Sequence, residues 1–409
     1  MPFSHAPAQT GRPASPQDPV TPAPDAATAR VQPPSAPPAP EAESARAEAL
    51  RLRAVHRALA DLRRGTPVLL RGAEPLVVLA AETAGARGLG EFAALARGPA
   101  LLLLAPVRAA SVLRRPVEPA QPLLALRAPP ALLTPETLRG LADPTAEQLV
   151  TQPPEPVPAP ELGMAALLLA KLARLLPAAL IAPVGPDAAA EATALDLLGV
   201  AAADVLAYPA SAASSLTKVA EAAVPLEDAA EARIIAFRAP DAGIEHLAIV
   251  IGRPETQDAP LVRLHSECFT GDLLGSLRCD CGPQLRGAIA RMAAEGGGVL
   301  LYLAQEGRGI GLVNKLRAYA LQDRGLDTLD ANRALGWGAD ERNFLVAATM
   351  LEALGLRRIR LLTNNPEKLA ALEACGVDIA GRVSHAIAPN GVNDSYLRTK
   401  ALRFGHLLG

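Results

Sequence analysis

Aromatic side chains are scarce, 3% of 409 residues, which leaves few platforms on which unpaired bases could stack. A charge excess of one sign is missing as well. Forty Lys and Arg face 42 Asp and Glu, a formal net charge of −2, so no cationic field argues for nucleic acid. Together these absences set aside a zinc-stabilised nucleic-acid binder. Long apolar runs are lacking too. ALLLLAPV (100–107) is far shorter than a membrane span, and AALLLAKLARLLPAALIAPV (165–184) is broken by Lys171, Arg174 and Pro177 with the charge spacing of an amphipathic helix. We therefore expect no membrane partner. No compact apolar stretch follows a basic start, so a cytoplasmic protein is expected. Cysteine is rare, 4 in the whole chain, and in such a compartment disulfides are disfavoured.

Half of the residues are apolar, enough for sizeable cores in two or three domains. Residues 1–42 are crowded with Pro and Ala and read as a disordered tail. From there to 209 the pattern alternates: a helical stretch closed by Gly65, strands at 67–70 and 75–82, a helix, a strand at 99–106, then helix and strand across 165–184. Residues 208–218, YPASAASSLTK, read as a polar connector. From 210 to 409 three β-rich segments (231–240, 245–254, 259–266) precede alternating helices and strands. The expectation is an α/β (α+β) multi-domain chain, with an N-terminal α/β domain over 43–209 and a C-terminal mixed sheet with helices over 210–409.

The richest segment is RLHSECFTGDLLGSLRCDCG (263–282). Its cysteines, Cys268, Cys279 and Cys281, number three, and three thiolates can hold zinc while leaving a fourth tetrahedral position open, as catalytic sites do. Spacing places Cys279 and Cys281 on one side of an extended segment, with Cys268 brought in by a turn through Thr270-Gly271-Asp272. The plainer readings are small buried hydrophobes or a disulfide, for which Cys279 and Cys281 stand too close. Cys375 reads as a packed helix end rather than a fourth ligand. His265-Ser266-Glu267 has the form found in zinc nucleobase deaminases, but the Pro-Cys-x-x-Cys pair those sites need is absent.

Three further segments sit where strands end. QEGRGIGLVNKLRAYALQD (305–323) carries Gly307, Gly309 and Gly311, which let backbone approach an anion, beside Arg308 and Lys315. GADERNF (338–344) opens a helix with acidic residues that suit caps. LLTNNPEKL (361–369) puts Thr363 at a strand end and Lys368 one turn into the next helix.

Taken with DTLDANRALGWGADER, these blocks closely resemble the GTP cyclohydrolase II family, which opens riboflavin biosynthesis, over about 225–409. The resemblance implies a GTP-hydrolysing enzyme releasing formate and pyrophosphate, with one Zn²⁺ per subunit on Cys268, Cys279 and Cys281 and Mg²⁺ on the substrate phosphates. It implies GTP contacts from Arg263, Leu264, His265, Ser266, Glu267, Gln284, Glu306, Gly307, Arg308, Thr328, Thr363 and Lys368. Asp340 would accept a proton, Arg342 would attack the α-phosphate or clamp its charge, and Tyr319 would orient substrate and water. It also implies a homodimer. Zinc brings the pKa of water towards neutrality, as attack at guanine C8 requires. Residues 58–82 and 169–181 resemble, weakly, a 3,4-dihydroxy-2-butanone-4-phosphate synthase domain. Its acidic loop is reduced here to RGAEP with Glu74 alone, and its His and Glu places hold Leu162 and Met164, so it is read as degenerate. The rival reading is a catalytically inactive GTP sensor or scaffold on the same fold.

Overall fold

The computed structural model describes residues 39–118, 121–146, 150, 153–240 and 243–407. The tail expected over 1–42 lies outside them, save for its end, which opens the first helix. The first half runs α1 (Ala39–Arg63), β1 (Val68–Arg71), β2 (Leu76–Ala80), α2 (Ala86–Leu95), β3 (Leu101–Leu104), α3 (Pro106–Leu113) and β4 (Leu124–Arg127). It continues with α4 (Pro135–Ala142), β5 (Glu155–Val157), α5 (Gly163–Leu172), β6 (Ala178–Pro183), α6 (Ala188–Ala194), β7 (Gly199–Ala201) and α7 (Ala202–Ser214). The second half runs β8 (Thr217–Ala223), β9 (Ala232–Arg238), β10 (Glu245–Gly252), β11 (Leu261–Ser266), α8 (Cys281–Ala294) and β12 (Gly297–Leu303). Then follow α9 (Leu312–Gln322), α10 (Thr328–Ala334), α11 (Leu345–Ala353), β13 (Arg358–Leu362), α12 (Pro366–Ala374), β14 (Asp378–Val383) and α13 (Asp394–Phe404).

Among the described residues the strands form two seven-stranded mixed sheets, ordered β5-β4-β3-β6-β2-β1-β7 and β14-β13-β11-β12-β10-β9-β8. The fold class expected from the pattern is thus observed. Strands β1, β2, β3 and β6 read as unbroken apolar runs because helices cover both faces of their sheet. Successive side chains point to opposite faces. Leu69, Val77, Leu79, Leu102 and Leu180 therefore enter one core, and Leu70, Val78, Leu103 and Ile181 the other.

The first of those cores crosses the expected division of the chain. Ile310, Ala318, Leu321, Ala331, Leu335 and Trp337, all from the second half, are buried in it with strand residues of the first sheet. Arg317 reinforces the junction with ion pairs to Glu82 at 2.9 Å and Asp143 at 2.8 Å. Residues Ala45–Gly409 accordingly form one compact unit.

Three expectations need correction. Residues 208–214 are not a connector but the end of α7, which runs through Pro209. Alanine, the best helix former, dominates it, and the Pro209 carbonyl accepts from Asn343 Nδ2 at 2.7 Å. The helix expected from Asp340 starts only at Leu345, because Asp340 and Arg342 are engaged with each other. Cys279 and Cys281 do not share an extended segment, since Cys281 opens α8. Glu74 is exposed on the β1–β2 loop, Leu162 is buried and Met164 is exposed. No helix among the described residues is long and apolar enough to cross a membrane.

Candidate active site

The parallel strands β11, β12 and β13 lie side by side, and the segments at their C-terminal ends hold the polar residues singled out above. Loops at carboxyl ends of parallel strands are where ligands bind in such sheets. Alternation along β11 sends Val262 and Leu264 into the core beneath α11 and leaves Arg263 and His265 on the other face. Arg263 is 6% exposed; it donates to Leu362 O at 3.2 Å and to Gln284 Oε1, while its Nε has no partner. Burial brings it down to about 10. His265 Nε2 lies 3.1 Å from Asp272, and burial lowers its pKa despite that carboxylate.

Asp272 organises the cysteine turn. It accepts from the Cys268 backbone N–H at 3.0 Å and from Tyr302 Oη at 3.0 Å, and its own N–H donates to Cys268 O at 2.7 Å. A single helical turn over Phe269–Leu273 then lets Cys268 meet Cys279 and Cys281. The three Sγ atoms lie within 4.8 Å of one another, with Cys268 and Cys279 3.8 Å apart. Tetrahedral zinc with Zn–S bonds of about 2.3 Å needs sulfurs about 3.8 Å apart, so the thiols fit that ion. Gly271 makes the convergence feasible. A Cβ there would stand 2.7 Å from Cys279 Sγ and 3.0 Å from Cys268 Sγ. Hydrogen bonds from Cys279 and Cys281 draw the Cys268 thiol down, and the bond to Cys268 pushes Cys279 up to about 11. Its neighbours thus favour a thiolate at Cys268. Lys315 answers it, with Nζ 3.1 Å from Cys268 Sγ and 2.8 Å from Glu306 Oε1. Burial works against that ammonium, but Glu306 and Cys268 outweigh it and raise its pKa.

The glycine-rich turn wraps around Glu306, whose carboxylate accepts from the N–H groups of Phe269 at 2.7 Å and Gly307 at 2.9 Å. Gly309 has φ +97°, and a side chain there would strike the Glu341 carbonyl at 2.8 Å. The turn presents Arg308, stacked 3.7 Å over the Phe404 ring. Opposite, Lys368 Nζ donates to Leu264 O at 3.0 Å. No described carboxylate pairs with Arg263, Arg308 or Lys368. Burial lowers the pKa of each, with added repulsion from Arg342 and Arg263 on Lys368. Three partly or wholly buried cations without counter-charges constitute demand for an anion.

Arg263, His265, Glu306, Arg308, Lys315 and Lys368 line one cavity with the three cysteines in its wall. It collects the expected substrate residues Arg263 to Glu267, Gln284, Glu306 to Arg308, Thr328 and Lys368, with Tyr319 and Arg342. Two expected residues stand apart. Thr363 is buried, and its hydroxyl accepts from the Asn365 N–H at 3.1 Å. Asp340 lines a neighbouring cavity instead and receives Arg342 Nε at 2.8 Å. Burial opposes its charge, but Arg342 outweighs that and lowers its pKa. Cys375 packs at the end of α12 and is not part of the cysteine cluster.

Sequence reasoning missed α13. It brings Tyr396 and Lys400 to the cavity, with His406 just beyond, and Lys400 Nζ is 2.6 Å from Asp280, between two of the cysteines. Tyr396, Lys400 and Phe404 recur every four residues, a spacing that marks one helix face.

Fold and cavity together define a class, mixed α/β proteins with a cation-lined cavity beside three clustered cysteines. Residues 217–384 match the family model described as GTP cyclohydrolase II. The chain is 49% identical over 366 residues to a GTP cyclohydrolase-2 of Azospirillum brasilense, covering 87% of this chain and 94% of that one. It is 42% identical over 361 residues to one from Xylella fastidiosa, 86% of each, and 50% identical over 196 residues to one from Pasteurella multocida, 48% and 89%. The chain belongs to the GTP cyclohydrolase II family and is a hydrolase of that type. A two-domain 3,4-dihydroxy-2-butanone 4-phosphate synthase from A. baumannii overlaps 81% of this chain and 99% of its own at 19% identity and a TM-score of 0.30. At that score the overlap carries no weight for or against a synthase-like first half.

Proposed function

We propose that this chain converts GTP to 2,5-diamino-6-(5-phosphoribosylamino)pyrimidin-4(3H)-one, formate and pyrophosphate, with Zn²⁺ resident on Cys268, Cys279 and Cys281. One observation carries the reading: unpaired Arg263, Arg308 and Lys368 converge on the same cavity as the three thiols. A triphosphate, entering with Mg²⁺ on its oxygens, supplies the missing negative charge, and the purine then extends towards the cluster. When bound, zinc supplies Lewis acidity and a lowered pKa for water.

The protein groups divide the remaining work. Arg308 and Lys368 hold phosphates, and Gln284, braced by Arg263, offers a polar edge to the base. Lys315 balances the thiolates while Tyr319, on the same helix, closes the wall. Glu267, pushed up by burial and by Glu306, is the carboxyl available to move a proton beside the cluster. We read Arg342 as a charge clamp rather than a nucleophile. A guanidinium is a poor nucleophile, and Asp340 already holds this one as an ion pair.

The test is GTP turnover with metal analysis on one preparation. Wild type should carry zinc and release formate; Cys279→Ser should lose both. A zinc-replete wild type that binds GTP without releasing formate would favour the inactive sensor instead.

A further inference from the structure

Behind the loop that carries Asp340 and Arg342 lies a second, open cavity, walled by both halves of the chain. Its polar lining includes His56, Arg63, Arg174, Tyr208, His246 and Gln305. Arg63 Nε donates to Ala173 O at 2.9 Å, and Arg174 Nη2 donates to Ala304 O at 2.7 Å. Both guanidiniums thus rest on carbonyls, and no described carboxylate pairs with either. The two carboxylates in the wall are already matched, Asp340 by Arg342 and Glu341 by Lys171 at 2.5 Å. Burial, followed by the neighbouring Arg174 charge, lowers the Arg63 pKa.

Neutral donors and acceptors are left over as well. His246 Nδ1 accepts the Ala304 N–H at 3.1 Å, which fixes the proton on Nε2, a donor with no acceptor among the described residues. Gln305 Oε1 is buried without a donor. Two forked cations without counter-charge match a dianion, and a phosphate monoester is the small ligand that supplies two charges and planar oxygen pairs.

We propose that this cavity binds a small phosphate monoester and that its occupancy slows GTP turnover. Arg174 provides the link. Its bond to Ala304 steadies the end of β12, one residue before Gln305, whose Nε2 holds Asn343 O at 3.0 Å. A dianion that recruits the Arg174 guanidinium withdraws that support from the turn carrying Glu306 and from the loop carrying Arg342.

Crystals of the full chain soaked in tungstate, a phosphate surrogate, locate the anion by anomalous scattering without reference to activity. A peak is expected between Arg63 and Arg174 that disappears in the Arg63→Gln/Arg174→Gln double variant, while any peak beside Arg308 and Lys368 persists. No peak at the first position in wild type, or one that survives in the double variant, overturns the site. The regulatory half rests on the proposed turnover of GTP. Inorganic phosphate should lower kcat at saturating GTP by about fivefold or more in wild type and not in the double variant, whose circular dichroism checks its fold. Inhibition through the substrate cavity raises KM alone. A tungstate peak with no effect of phosphate on kcat would mark an adventitious ion only and defeat the regulatory claim.

Discussion

Replacing Gly271 by alanine tests the metal cradle at its tightest point. The new methyl would stand 2.7 Å from Cys279 Sγ, 2.9 Å from Cys281 Cβ and 3.0 Å from Cys268 Sγ. Non-bonded heavy atoms settle at about 3.5–4.0 Å, so the nearest sulfur must retreat by about 1 Å. The turn cannot easily yield as a whole, because Asp272 ties it to Cys268, His265 and Tyr302. Metal–ligand distances tolerate only about 0.2 Å. Disturbing the shell around a metal ligand typically costs 10–100-fold in affinity, and a direct displacement belongs at the upper end. We expect zinc affinity to fall by about 100-fold, read by competition with a chromophoric chelator, with formate release lost in parallel. Gly90→Ala, at a position with nothing within 4 Å, is the control and should bind zinc as wild type does. Gly271→Ala with wild-type zinc affinity would refute the reasoning.

Lys368→Met removes a cation that burial disfavours, so it should raise the melting temperature while lowering kcat/KM for GTP by about 100-fold; a loss in both would show that Lys368 is structural. His246, depressed by burial and then by Arg174 to about 4 from 6.5, gives stability that is complete above pH 6.5 and lost as pH falls towards 4. The loss is about 3 kcal/mol, and His246→Gln should flatten that part of a denaturation-versus-pH curve; an unchanged slope would discount the histidine. Trp337→Ala, in the core shared by both halves, should cost about 3–5 kcal/mol within one cooperative calorimetric transition. Two separated transitions would disprove the shared core.

Much of this was legible in the chain itself. Short apolar strands alternating with helical stretches announced the α/β layering, and the cysteine trio could be read because its members lie within one short segment. Most expected substrate residues meet in one cavity because they cluster at the ends of β11 and β12 or start the helices that follow. What escaped depends on contacts distant in sequence. Nothing local says that Lys400 reaches Asp280, or that the apolar backs of α9 and α10 cover the first sheet rather than the second. Residues 208–214 read as a polar connector because the local reading weighed their Ser and Pro above the helix propensity of the surrounding alanines. Asp340 looked like a helix cap until its carboxylate was seen to hold Arg342 in a loop.

The bond between Lys400 and Asp280 spans 120 residues, and this has a consequence for biogenesis. At ribosomal speeds of about 5–20 residues per second, roughly 6–24 s separate synthesis of the sulfur trio from synthesis of the lysine that fastens its loop. During that interval the nascent thiols lack this clasp and are open to oxidants and to competing soft metals. On the zinc reading proposed above, loading would call for reducing conditions while translation is still under way.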